Sequence, residues 1–170
     1  EEKINQTGLS LKLECYDGKI IVTPYMAKTI WSYDIQSGRW QKIGIRNEEQ
    51  ECKFVSSVIY KDKLYLIPAL YKYIVRVNLK TYSVAYLEHI YAEYAALSSE
   101  EACRFACNYA RCRDVLYIAE QQTNLMLRFD LATEKYTWLQ IGNPGQIWLA
   151  SAWDGTYFYF VPLTQGRLLR

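Results

Sequence analysis

The sequence predicts an all-β protein made of four-stranded antiparallel sheets, passed through about four times. Three observations predict it. Short apolar segments alternate with turn signals about every 8–12 residues. Sixteen tyrosines and five tryptophans favour strands over helices. The stretch Tyr33-Asp34-Ile35-Gln36-Ser37-Gly38-Arg39-Trp40 also recurs. Val77-Asn78-Leu79-Lys80-Thr81 leads to Val84, and Phe129-Asp130-Leu131-Ala132-Thr133 leads to Tyr136. Each copy runs apolar residue, Asp or Asn, Ile or Leu, any residue, Ser or Thr, then a bulky residue.

The elements follow in order. Leu9 to Tyr16 alternates, with Leu9, Leu11 and Leu13 on one side and Ser10, Lys12 and Glu14 on the other. Asp17-Gly18 signals a tight hairpin. Lys19 to Thr23 reads as a buried strand that Pro24 ends, since proline cannot donate to a ladder. Thr29 to Tyr33 and Arg39 to Ile43 complete the first sheet. A second pass gives Phe54 to Tyr60, Leu64 to Ile67 before Pro68, Tyr73 to Val77 and Ser83 to Leu87. A third gives Arg104 to Ala110, Val115 to Ala119, Leu125 to Phe129 and Tyr136 to Ile141. A fourth gives Ile147 to Ala152, Tyr157 to Val161 before Pro162, and a start at Arg167 to Arg170. Pro24 to Pro68 and Asp34 to Asn78 are each 44 residues apart, which fixes the period. His89 to Ala102 is an insertion, read either as a loop or as a short helix capped by Ser98 or Ser99, with Glu100 and Glu101 in its first turn. The blade-like repeats are thus 9–44, 51–88, 103–141 and 146–170 of one domain, and residues 1–5 resemble the fourth strand of the last.

Composition narrows the function classes. A net charge of +2 with no basic run argues against a phosphate-driven nucleic-acid binder. No apolar run reaches the ~18 residues of a membrane helix. Cys15, Cys52, Cys103, Cys107 and Cys112 are odd in number and lack metal-knuckle spacing, so they read as small hydrophobes of a reducing compartment. That reading leans towards a cytoplasmic location. Asn5-Gln6-Thr7 fits the glycosylation sequon, a triplet common by chance.

The repeat resembles Kelch-type β-propeller blades, in which a tyrosine-aspartate turn precedes a tryptophan. Tyr33-Asp34 with Trp40, and Asp17-Gly18-Lys19-Ile20 before them, carry the resemblance. The double glycine that usually ends the second strand is replaced by Thr23-Pro24, Ile67-Pro68, Ala119-Glu120 and Val161-Pro162. The resemblance implies a propeller of about four blades, either closed or part of a larger ring that would self-associate when open. It also implies that ligand surfaces gather at one end, where the strand two-to-three loops meet the inter-blade loops. There Tyr25, Lys28, Tyr71, Lys72, Gln121 and Gln122 mix aromatic and polar groups suited to a protein or glycan partner.

No constellation of residues for catalysis, metal or cofactor binding stands out. The single histidine, His89, has no partner in sequence and reads as a surface loop residue. The acidic runs Glu48-Glu49-Gln50-Glu51 and Glu100-Glu101 read as solvated loop charge. One column is unusual. Two residues before the repeat Asp or Asn stand Arg76, Arg128 and Arg170, with Ser32 in the first copy. The column reads as structural arginines that need partners, or as channel arginines able to hold an anion. The expected function is a non-catalytic binding or scaffolding module. The alternatives are a carbohydrate-binding or carbohydrate-active propeller and a structural segment of a larger protein.

Overall fold

The computed structural model describes residues 12–99, 103–106, 109–143 and 148–162. It is an all-β structure with one helix, in two compact units, Glu1–Leu87 and Glu88–Arg170.

The first unit holds two meanders. Sheet 1 is β1 (Leu13–Tyr16), β2 (Lys19–Val22), β3 (Ile30–Asp34) and β4 (Trp40–Ile43), hydrogen-bonded in that order. Sheet 2 is β5 (Phe54–Tyr60), β6 (Lys63–Pro68), β7 (Val75–Asn78) and β8 (Val84–Tyr86), again in chain order. All pairs are antiparallel, and two of them, β1–β2 and β5–β6, are joined by two-residue hairpins. Alternation decides what is buried. Ile21, Ile30 and Ile43 fall on one face of sheet 1 and pack with Leu64, Leu66, Val75 and Val77 of sheet 2, all at 3% exposure or less. Each such side chain contributes about 1.5–3 kcal/mol on leaving water.

The second unit opens with helix α1 (Glu88–Leu97). Sheet 3 follows as β9 (Ala110–Cys112), β10 (Val115–Ala119), β11 (Leu125–Asp130) and β12 (Tyr136–Gln140), and β13 (Trp148–Trp153) pairs with β14 (Phe158–Pro162) in sheet 4. Ala106, Ala119, Met126, Trp148 and Phe160 form its core cluster.

The recurrent stretch is a clasp. Its acidic or amide oxygen accepts the next turn's N–H groups: Asp34 Oδ1 from Ser37, Asn78 Oδ1 from Lys80 and Thr81, Asp130 Oδ1 from Ala132 and Thr133, at 2.7–3.0 Å. The following residue then reaches across the sheet. Ile35 N–H donates to the Gly18 carbonyl, Leu79 to Asp62 and Leu131 to Asp114, at 2.8–3.0 Å. So the β3–β4 type of turn is tied to the β1–β2 type of hairpin in all three sheets. Four positions after the Asp or Asn, the backbone is left-handed at Gly38 (φ 69°), Tyr82 (φ 57°) and Glu134 (φ 59°). That conformation is free for glycine and costs the other two.

Several expectations are corrected. The helix does not begin at Ser98 or Ser99; it ends there, and Ser98 N–H donates to the Tyr94 carbonyl at 2.9 Å. Ile90 and Tyr94, one turn apart, are its buried residues and fix its position, with Glu88 in the first turn. His89 accordingly lies on the helix, exposed, with its ring 5.3 Å from that of Tyr136. Pro68 and Pro162 do not follow their strands but close them, opposite Phe54 and Trp148 at register shifts that place no ladder donor there. The strand expected over Arg104 to Ala110 is reduced to the bridge Phe105–Glu120 and β9. At Arg104 the Glu120 carboxylate accepts the N–H at 2.9 Å, where a ladder carbonyl would otherwise stand. The segments 1–5 and 163–170, including Arg170, lie outside the described residues.

Candidate functional site

The loop edge of the first unit carries four of the six residues singled out for partner contact. Three connections meet there: 23–29, 44–53 and 69–74. They are joined through Lys53, whose N–H donates to the Tyr25 carbonyl and whose carbonyl accepts from Ala69 and Tyr71. Its ammonium, on a residue 1% exposed, donates to the Ala27 carbonyl at 2.8 Å. Burial pulls the Lys53 pKa down, against the pull of Glu49, Glu48 and Glu51. The Gln50 side-chain amide also donates to the Leu70 carbonyl.

Of the predicted residues, Lys28 is exposed and pairs with Glu49 at 2.7 Å. Lys72 is exposed, with its ammonium 5.6 Å from the Tyr73 ring centre. Tyr25 is half-buried. Tyr71 lies inside: it is 1% exposed, packs 4.9 Å from Phe54 and donates from its hydroxyl to the Arg46 carbonyl at 2.6 Å. Burial pushes its phenol well above the ordinary value. Tyr71 is therefore a core anchor of the loop edge. Arg46 itself lies over the Tyr86 ring at 4.2 Å.

Gln121 and Gln122 are half-buried in the second unit, beside Glu120. Gln121 N–H donates to the Arg104 carbonyl at 2.7 Å. Glu120 is fully buried and accepts four hydrogen bonds, from the N–H groups of Arg104, Gln122 and Thr123 and from the Thr123 hydroxyl. This carboxylate, which sequence reasoning passed over, organises the loop around both glutamines. Cys103 nearby is buried, and burial first, then Glu120, raises its thiol pKa well above the usual value.

The opposite edge of the first unit holds a groove of about 370 Å³. Lys19 opens β2 and stands across the ladder from Asp34, the end of β3. Ser32 stands across from Gln41. Arg39 precedes β4, and Tyr82 enters from the β7–β8 turn. Lys19 donates to the Tyr82 hydroxyl at 3.1 Å, which raises its pKa. The Ser37 N–H and hydroxyl, then Lys19, hold the Asp34 carboxyl below its ordinary value. Two cations and one carboxylate thus line the groove. The one sequence signal for this groove is Ser32 interrupting the arginine column. Arg76 and Arg128 occupy the same ladder position, opposite Tyr65 and Tyr117, and both are half-buried. Among the described residues no cluster of three or more His, Cys, Asp or Glu side chains could hold a metal ion, and no helix is long and apolar enough to cross a membrane.

No protein-family model and no curated protein sequence matches the chain. Its fold is nevertheless similar to solved structures. Two structures of the extracellular domain of BT4673 from B. thetaiotaomicron match with TM-score 0.66 at 14% identity, over 88% of this chain and 20% of that one. An auxiliary nutrient binding protein from Bacteroides thetaiotaomicron VPI-5482 matches with TM-score 0.59 at 12% identity, over 95% of this chain and 37% of that one. The chain therefore spans a fifth to just over a third of these proteins. The likeness corrects the expectation of a cytoplasmic location: the matched fold belongs to an extracellular domain and a nutrient-binding protein. The thiols were a poor guide, for Cys15 is exposed and only Cys103 of the four described cysteines is buried.

Proposed function

We propose that the sheets are blades of a Kelch-like β-propeller belonging to a longer extracytoplasmic protein, and that this part is a non-catalytic binding module. Its loop edge holds a protein partner. The observation that carries this is the loop edge itself, three connections held in one arrangement by the backbone and ammonium of Lys53. A surface ordered before contact loses little conformational freedom on binding. Lys28, Glu49 and Lys72 remain exposed on it to select the partner. The repeated clasp supports the propeller reading, and the similar extracellular folds support the location.

The test places a photo-crosslinking residue at Lys28 or Lys72, on the loop edge, or at Ser37 on the opposite edge, in the parent protein on its own cells. Crosslinks to a discrete protein from the loop edge alone are expected. Equal labelling from Ser37, or none from Lys28 and Lys72, overturns the assignment.

A further inference from the structure

Ser32 replaces a guanidinium with a single hydroxyl. The side chain that fills this ladder position in sheets 2 and 3 is missing from sheet 1, and the groove lies there. Ser32 is itself 2% exposed, at the floor, with its hydroxyl 3.4 Å from that of Tyr82. The position is buried and polar, and its occupant in the other sheets is long and charged.

The groups at the rim hold donors in reserve. Among the described residues, Arg39 donates no hydrogen bond and joins no ion pair. Lys19 donates one hydrogen bond, to Tyr82, and keeps two further N–H groups. The Asp34 carboxylate, in contrast, is engaged through Oδ1 by the Ser37 N–H and hydroxyl of its own turn, at 2.7 and 2.8 Å. The groove thus presents a fork of guanidinium donors and an ammonium, with hydroxyl and amide groups of Ser32, Tyr82 and Gln41 around them. Guanidinium donors match a planar carboxylate in pairs. A volume of about 370 Å³ is within the range of small-molecule sites.

We propose that this groove binds a small carboxylate-bearing solute, with Arg39 and Lys19 taking the carboxylate and Ser32, Gln41 and Tyr82 taking its hydroxyl groups. The site lies at the edge opposite the loops and does not depend on the protein partner there. Dicarboxylates and hexuronates share this chemistry, and the experiment separates them.

Isothermal titration of the full chain at low salt would use sodium succinate, sodium glucuronate and, as the neutral control, glucose. At least one acid is expected to bind at least about tenfold more tightly than glucose. Binding of succinate alone assigns the site to simple acids, and binding of glucuronate alone adds its ring hydroxyls; either result supports the proposal. Arg39→Gln is expected to weaken the acid about tenfold to a hundredfold, the loss of one charge-assisted pair. Arg39 is exposed, so this variant should keep the parent's melting temperature. Ser32→Arg, which restores the residue of the other sheets, should abolish binding. If Ser32→Arg does not fold, Arg39→Gln and Gln41→Ala decide. Failure of both acids to bind, equal binding of glucose, or undiminished binding by Arg39→Gln overturns the proposal.

Discussion

Glu120 sets two physical effects against each other. Burial raises its pKa, while four donated hydrogen bonds favour the carboxylate. A glutamine there would turn an NH2 group towards at least one of the same donors. Glu120→Gln should therefore destabilise the fold by about 1–3 kcal/mol although it removes a buried charge. A melting temperature above the parent's would show that desolvation dominates instead. The clasp gives a cleaner comparison, because Asn78 performs without charge what Asp34 and Asp130 perform with it. Asn78→Ala should cost about 1 kcal/mol. Asp130 has a lowered pKa, owed first to the Thr133 N–H. Its ionised form favours the folded state, so that stability is present above the ordinary carboxylate value of 3.8 and is lost as pH falls through the lower folded value. Asp130→Asn should keep the parent's stability at neutral pH and flatten this acid limb in pH-dependent melts. Gly38 announced its left-handed backbone in the sequence. Tyr82 and Glu134 did not, because there the clasp's hydrogen bonds impose a conformation that their side chains disfavour.

At the scale of elements, alternation and turn chemistry place most of the described strands to within two residues, but not the strand read over Arg104 to Ala110, which is found as β9 at Ala110–Cys112. Strand ends and the helix were less legible. Ser98-Ser99-Glu100-Glu101 imitates a helix start, but the apolar pair Ile90 and Tyr94 upstream holds the helix by burial, and burial outweighs a cap. Tyr94 also packs 5.3 Å from Trp138. Tyr94→Ala should cost about 3–5 kcal/mol, and amide exchange should accelerate most over Glu88–Leu97. Uniform exchange across sheet 3 as well would mean that the helix is not a separable element. The loop edge is legible as a surface, but Tyr71, which reads as part of its face, is buried. A tyrosine in a loop looks like a contact residue, and only the Arg46 carbonyl within 2.6 Å of its hydroxyl shows why it turns inward. Beyond the break at Ser32 in the arginine column, the groove is not legible in the sequence, because Tyr82 joins it from the turn of a second sheet.

For the molecule as a whole, the 44-residue offset equates the two faces of the first unit. Ile20, Val22, Trp31 and Tyr33 occupy in sheet 1 the positions of Leu64, Leu66, Val75 and Val77 in sheet 2, which are buried at 0% exposure. Their neighbours on the sheet 1 face, Trp40 and Leu13, stand 47% and 58% exposed. In the propeller reading another sheet of the parent protein covers that face. The isolated chain should then associate with rising concentration, and Trp40→Lys should lower the mass found by light scattering. An isolated chain that stays monomeric at high concentration would leave the face without that role. The sequence carried this symmetry in its proline and aspartate spacing, whereas location could not be read from thiols that are not consistently buried.

The clasp has a kinetic consequence as well. Its bond from the last turn of a sheet to its first hairpin, such as Leu79 to Asp62, closes a sheet over few intervening residues. Loop closure that short is fast and costs little entropy. Each meander can therefore zip up and lock as soon as its own residues are available, ahead of its neighbours. A nascent chain would emerge as a series of finished sheets, with only the docking of their faces left until last.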